Sequence, residues 1–497
     1  MPSGWILAID QGTTNTKALL LNRSGVPVFL ASAPVGLIQT ELGHVEQDPE
    51  QIWNSVLHAI AESALYASHS GNSIEALAIS NQRETASAWN AATGAPISNA
   101  ISWQCPRSAE ICRRLAPHAE LIRARTGLPL ATLTSAGKWV WLMENDSDLQ
   151  TLSEAGVLRF GTVDSWLIHR LTGGSVHATD FSNASRTGLL DLETLTWDPD
   201  LLELFGLPPR AMPELRSSSG SFGVCSGVPG LDGVPILAAI GDSHAAMFGH
   251  GQYTVGTVKA TYGTGSSLMA LTAGLPADTP ALARTIAWSI GGQTQFALEG
   301  NIAMTGSAVQ WVGDFLGLAD PAREAADLAA TVADADGVYF VPAMVGLGAP
   351  YWDALARGTN TGLSRSHTSA HLARAAIEAI AYQVADVFYA MGEAGNTRST
   401  TLHADGGAAR NNLLMQFQAN VLGCPVLRSG TVELSALGAS LLAGLALGWW
   451  NSLAEIANLP QTADKFAPAM SEADCKHRYA GWKAAVARAR LNPEAGV

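Results

Sequence analysis

At 497 residues the chain exceeds what a single hydrophobic core organises, so two or more domains are expected. Its formal charge of −14 excludes the broad positive field that nucleic-acid or anionic-membrane binding needs, so any phosphate it handles is held locally. The five cysteines, Cys105, Cys112, Cys225, Cys424 and Cys475, are an odd number without a CxxC pair, which fits structural free thiols in a reducing cytoplasm.

No basic segment precedes the first apolar residues, so a signal peptide is not expected. The N-terminal stretch alternates short β-rich runs with turns: GWILAID, then TKALLLN, then VPVFLAS. Between the first two the chain reads DQGTTN. Gly12 lets the backbone turn where a side chain would collide, and Thr13 and Thr14 offer N–H and hydroxyl donors to an anion. Asp10, at the strand end, is suited to a hydrated Mg²⁺ that bridges phosphates. A hairpin with an Asp-containing turn explains the same residues equally well. PEQIWNSVLHAIAESAL follows as a helix, with Ile52, Val56, Leu57 and Ile60 on one face. The mixture predicts an α/β domain.

Further along, GVPILAAIGDSHAAMFGHG joins the halves, and the boundary is placed near residue 247, giving segments 1–247 and 248–497. The segment Gly256 to Gly274 repeats the grammar of strand, Gly/Thr turn and strand, which suggests an internal duplication. A third turn, ADGGAARNN, ends an apolar run and leads into the helix-like NLLMQFQANVL, where a helix N-terminus and small residues leave room for a phosphate or a flat ring. No charged linker separates the halves, so they should pack directly, with a cleft between them. The run Leu434 to Trp450 is shorter than the roughly 20 apolar residues of a membrane span and reads as a buried core helix. None of the three turns follows the Walker or GxGxxG pattern, so the nucleotide fold should be neither P-loop nor Rossmann.

Taken together, DQGTTNTK, SNQRETASAW, HATDFSNASRTGLLDLETLTWD, IGDSHAAMFGH, ARGTNTGLSRSH and ADGGAARNNLLMQFQ resemble the FGGY carbohydrate kinases, and among them the glycerol kinases, over residues 5 to 450 or so. The resemblance implies an α/β protein of two actin-like or hexokinase-like (ribonuclease H-like) ATPase domains, with ATP and Mg²⁺ in the interdomain cleft and a small polyol or sugar as acceptor. It implies Asp242 as catalytic base, in keeping with phosphoryl transfer by positioning and charge stabilisation; a helix N-cap before AAMFG is a compatible reading of the same residue. Asp10 would hold the metal. Thr13, Thr14 and Thr264 would contact the phosphates, with Lys17 near them. Gly306, Gln310, Gly407 and Asn411 would line the adenosine. Arg83 and Glu84 would hydrogen-bond the polyol, and Trp103 would pack on its carbons; a solvated ion pair is the plain alternative for Arg83 and Glu84.

Three acceptor positions depart from the glycerol kinases. Leu133 stands where they carry tyrosine, Ser243 where glutamine follows the catalytic aspartate, and Ser267 where a phenylalanine follows the GTG turn. Two of these reduce bulk and Leu133 removes a hydroxyl, so the pocket should be larger than glycerol needs. The leading reading is an ATP-dependent kinase of a small polyol. A pentulose kinase acting on ribulose or xylulose is the alternative, favoured by Ser243, Ser267 and the GDSHAA wording; an actin-like ATP-binding protein would need none of Asp242, Arg83, Glu84 and Trp103. His244 receives no role. PGLDGVPI lacks the arginine with which some glycerol kinases bind a regulatory sugar bisphosphate. No nucleic-acid or membrane partner is expected, the enzyme should be cytoplasmic, and a dimer or tetramer of the chain is the candidate assembly.

Overall fold

The computed structural model describes residues 4–251, 253–431 and 433–491. The chain divides into two units. One comprises Met1–Tyr253, Arg284–Phe296 and Glu433–Pro460, and the other Thr254–Ala283, Ala297–Val432 and Gln461–Val497.

In the first unit β1 (Gly4–Gln11), β2 (Asn15–Leu21) and β3 (Pro27–Pro34) form an antiparallel meander. Helix α1 (Pro49–His69) follows, capped by the Asp48 carboxylate on the Glu50 N–H and begun by a proline whose missing donor costs nothing there. The chain returns as β4 (Ser73–Asn81), parallel to β1. A long insertion containing α2 (Ser135–Asn145) precedes β5 (Ile236–Gly241), parallel to β4, and α3 (Asp242–Gly249). The sheet order is β5-β4-β1-β2-β3. Ile6, Leu7, Ala8 and Ile9 are all fully buried, as a central strand covered on both faces requires. Leu7, Ile9, Ala18, Leu20, Leu77 and Ile79 share a core with Ile52, Val56 and Ile60 of α1.

The second unit repeats this plan. β6 (Thr257–Tyr262), β7 (Ser266–Leu271) and β8 (Gln293–Ile302) form an antiparallel meander, and α4 (Gly306–Phe315) follows β8. After α5 (Ser369–Ala394), β9 (Thr401–Asp405) lies parallel to β6. Then come α6 (Asn412–Leu422) and β10 (Val426–Ser429), the latter parallel to β9. The strand order β10-β9-β6-β7-β8 is that of the first unit, as the repeated grammar of the sequence suggests. The chain then rejoins the first unit as α7 (Leu434–Leu447), before β11 (Ala463–Phe466) and α8 (Glu472–Ala489) complete the second. In the second unit the Asp386 carboxylate ties α5 to α8 by accepting hydrogen bonds from Tyr479 Oη (2.5 Å) and Trp482 Nε1 (2.8 Å).

Helix α7 is the uncharged run seen in the sequence, and its small residues have a packing reason. It lies against β1, β4, β5 and α3. A Cβ on Gly438 would stand 1.9 Å from the Ala245 carbonyl oxygen, and one on Gly249 would stand 2.4 Å from the Leu434 carbonyl oxygen. The backbones of α3 and α7 therefore touch. This contact, with a hydrogen bond from Ser435 Oγ to the Asp242 carbonyl (3.0 Å), fixes the start of α3. Gly438→Ala should lower the thermal midpoint, with an overpacking cost of about 1–3 kcal/mol; an unchanged midpoint in differential scanning calorimetry would show that the two helices can part without loss.

Candidate active site

In the first unit the two aspartates sit at strand ends. Asp10 belongs to the last turn of β1, between Lys17 on β2 and Ser80 on β4, and accepts a hydrogen bond from Ser80 Oγ (2.9 Å). Asp242 begins α3 directly after β5. Burial first, and then the negative charge of Asp242, push the Asp10 carboxyl up to about 6; Ser80 and Lys17 act against them. Lys17 is itself tied to Glu433 (2.7 Å), which adds a third carboxylate to the neighbourhood. A pair of crowded carboxylates at the end of a parallel sheet is a place where added positive charge is favoured.

Asp242 is held from two sides. Arg83 Nε lies 3.3 Å from its Oδ1, and the Ser243 N–H donates to the same oxygen (2.7 Å). Gly241 makes the arginine's approach possible, since a Cβ there would meet Arg83 Cγ and Cδ at 2.8 Å. Arg83 and Glu84 do not pair with each other. Glu84 has φ of 61°, a left-handed conformation uncommon outside glycine, and this turns its side chain into the fold, where Oε1 accepts from Arg186 Nε (2.7 Å) with both groups buried. The solvated-pair alternative is thereby excluded.

Trp103 is about one-third exposed, and its indole N–H donates to Thr13 Oγ1 (3.0 Å), joining a residue expected at the acceptor to one expected at the phosphates. Thr14 is exposed. Gly12 closes the turn by an N–H bond to the Asn15 carbonyl (2.9 Å). Leu133 is half-buried in the loop before α2. His244 is buried and bonded through Nε2 to Thr285 Oγ1 (3.2 Å).

In the second unit the four adenosine candidates and Thr264 lie on three adjacent segments. The β6–β7 turn is braced by the start of α4: the N–H groups of Thr305 and Ser307 reach the Thr264 carbonyl (2.9 and 3.2 Å), and that of Gly306 reaches the Gly263 carbonyl (3.0 Å). A Cβ on Gly306 would meet that oxygen at 2.6 Å, so the close approach expected at this glycine is made to the neighbouring turn. Gly406, with φ of 93°, packs its α-carbon on the Tyr262 backbone, whereas Gly407 faces open space. Asn411 caps α6, accepting from the N–H groups of Leu413 and Leu414. Gln310 is exposed on α4 beside Asp314. Ser267 donates to Glu299 Oε1 (3.3 Å).

Several participants carried no role in the sequence reading. Arg186, buried in the structure, lies inside the quoted SNASRTG block, where an arginine among small polar residues was the available signal. Lys138 is fully buried in α2, and Glu433 meets Lys17 across 416 positions, a pairing with no local signature.

The profile of the FGGY family of carbohydrate kinases, N-terminal domain, matches residues 5–249, and that of the C-terminal domain matches residues 258–447. The chain belongs to the FGGY carbohydrate kinases. Similar relatives include the glycerol kinases of Symbiobacterium thermophilum and Burkholderia ambifaria, each 44% identical with 99% of both chains covered. Among solved structures, the glycerol kinase of Plasmodium falciparum with ADP has a TM-score of 0.93 at 31% identity, over 99% of each chain. A ligand-bound xylulose kinase of Lactobacillus acidophilus has 0.86 at 25%, over 99% and 98%. This FGGY kinase is an ATP-dependent phosphotransferase with an alcohol group of a polyol or carbohydrate as acceptor. Among its described residues no helix is long and apolar enough to cross a membrane.

The crowding at Asp10 has a measurable consequence. Its folded-state pKa of about 6 exceeds the ordinary 3.8, so the charged carboxyl costs stability that the protonated one does not, and this group's contribution to stability falls as pH rises from about 4 through 6. In nucleotide- and metal-free protein, Asp10→Asn should raise the thermal midpoint at about pH 7.5, with the gain shrinking as pH falls toward 4. A midpoint below wild type at neutral pH would show that the charge is fully compensated.

Proposed function

We propose that this kinase phosphorylates a terminal hydroxyl of a small polyol in an acceptor pocket larger than glycerol requires. The observation that carries the reading is the grouping on the first unit: Asp242 oriented by Arg83 and Ser243, Glu84 anchored by Arg186, and Trp103 beside the Thr13 turn. Asp242 accepts the acceptor's hydroxyl proton as its oxygen attacks the terminal phosphorus of ATP. The Arg83 guanidinium lies against the carboxylate and fixes its direction. Arg83 and Glu84 hold the polyol hydroxyls, and the Trp103 ring covers its C–H face.

Asp10 is assigned to Mg²⁺. The fit rests on its raised pKa beside Asp242: a carboxylate crowded by like charge gains from a cation, and Mg²⁺ needs only one or two carboxylates when phosphates and waters complete its shell. Bound there, the ion would neutralise phosphate charge. Thr13, Thr14 and Lys17 serve the phosphates on the first unit and Thr264 on the second, where Gly306, Gln310, Gly407 and Asn411 receive the adenosine. The open space at Gly407 supports this last assignment. ATP use and five free thiols fit a cytoplasmic enzyme, and a dimer or tetramer is the assembly to test.

Leu133, Ser243 and Ser267 make up the specificity set. The relatives that are 44% identical are named glycerol kinases, so glycerol is the reference acceptor, with four- and five-carbon polyols expected to exceed it. A pentulose kinase is the second reading, because Ser243 and Ser267 leave room for a ketose.

Asp242→Asn should lower kcat by about 10²–10⁴ with KM for ATP little changed; equal loss in both would assign the residue to structure. ADP release with glycerol, erythritol, the threitols, the pentitols, ribulose and xylulose tests the substrate class. A four- or five-carbon polyol should win, and Leu133→Tyr with Ser243→Gln and Ser267→Phe should return preference to glycerol. A wild type that prefers glycerol would overturn the enlarged pocket.

A further inference from the structure

Behind the acceptor residues of the first unit lies a charged group that the reaction does not use. Lys138, on the first turns of α2, is fully buried. Its ammonium donates to three main-chain carbonyls: that of Glu84 (3.3 Å), that of Thr134 (3.1 Å) and that of Leu133. An ammonium carries three protons and no lone pair, so each proton has an acceptor. Ser135 Oγ adds a second bond to the Glu84 carbonyl (3.1 Å). The two segments joined in this way are the turn that presents Arg83 and Glu84 and the loop that presents Leu133. The Glu84 turn is left-handed at a non-glycine residue, and such a conformation persists only where its surroundings over-determine it.

We propose that Lys138 is a positioning residue for acceptor binding, which in its protonated form clamps the Glu84 turn to the Leu133 loop and releases them when it loses its proton. This deepens the polyol-kinase reading and rests on it. A neutral amine has two donors and a lone pair facing three carbonyl oxygens, so one bond is lost and one contact becomes repulsive. The Glu84 carbonyl keeps Ser135, and the Leu133 loop is the part that loosens.

The surroundings place this switch near neutral pH. Burial pulls the Lys138 ammonium down from the usual lysine range to about 7, against the opposing pull of the Glu84 carboxylate and of Cys105 and Cys112. Glu84 is itself neutralised by Arg186, and burial raises the Cys112 thiol, which keeps it uncharged at neutral pH. Lys138 is the group of this cluster that burial brings to neutral pH. Nucleotide binding, which uses other residues, should not follow it.

The test uses the whole chain without nucleotide and, as probe, whichever of glycerol, erythritol, xylitol and xylulose the enzyme phosphorylates fastest. Its Kd is measured by calorimetry from pH 6 to 8.5. If only the protonated form is competent, affinity falls about tenfold from pH 6 to pH 8. Lys138→Arg, whose charge cannot be lost, should flatten the profile. Lys138→Met should bind weakly at every pH, and both variants should keep the wild-type KM for ATP. A flat wild-type profile overturns the proposal even if neither variant folds, as does an arginine variant that keeps the full wild-type slope. Tight acceptor binding with a flat profile leaves the polyol-kinase reading standing. If the enzyme phosphorylates none of the four probes, that reading fails, and this inference falls with it.

Discussion

Two carboxylates, Asp10 at the end of β1 and Asp242 after β5, are brought to one end of a sheet by strands that run parallel through β4, and the candidate site of the first unit depends on that placement. Parallel strands put their ends side by side, so residues far apart in sequence come to share one end of the sheet. The charge of Asp242 there adds to burial in raising the Asp10 carboxyl. Arg83 answers the charge of Asp242 directly, and Ser80 and Lys17 answer that of Asp10 in part. A site of this kind is less stable empty than filled.

The repeated strand order explains why Gly/Thr turns recur at matching places. The turn after β1 and the turn after β6 both join the first two strands of a meander, where the chain reverses at the sheet end. In the second unit the glycines of these turns serve packing as much as ligand access. Gly306 and Gly406 are required by backbone that lies within van der Waals reach, while Gly407 has no such neighbour. Sequence motifs rich in glycine thus combine residues needed by the fold with residues open to a ligand, and only the Cβ test separates them.

Beneath the acceptor residues runs a buried polar network: Arg186 on Glu84, Lys138 on the carbonyls of Glu84, Leu133 and Thr134, and Ser135 on Glu84 again. Buried charges carry a desolvation cost that an apolar core would avoid, and the bonds of this network offset part of it while fixing one geometry. Leu133, one of the three positions that depart from the glycerol-kinase pattern, is carried by this network through its main-chain carbonyl. The main-chain placement of Leu133 therefore depends on Lys138.

The sequence by itself determined the local pieces and the family. Alternating apolar runs marked β1, β2 and β3, the spacing of Ile52, Val56 and Ile60 marked α1, and the uncharged small-residue run marked α7, because strand and helix periodicities are written in neighbouring residues. The ordered blocks identified the FGGY kinases. Which groups pair was decided by the tertiary structure alone. Arg83 and Glu84, adjacent in sequence, diverge to Asp242 and Arg186 because the backbone turns left-handed between them. Lys17 finds Glu433 only because the chain returns to the first unit after β10. Lys138 gives no periodic or motif signal of its charge state, since burial and three carbonyls from two separate segments create it. Electrostatic partnership depends on distance and desolvation in space, and neither is encoded in residues near one another along the chain.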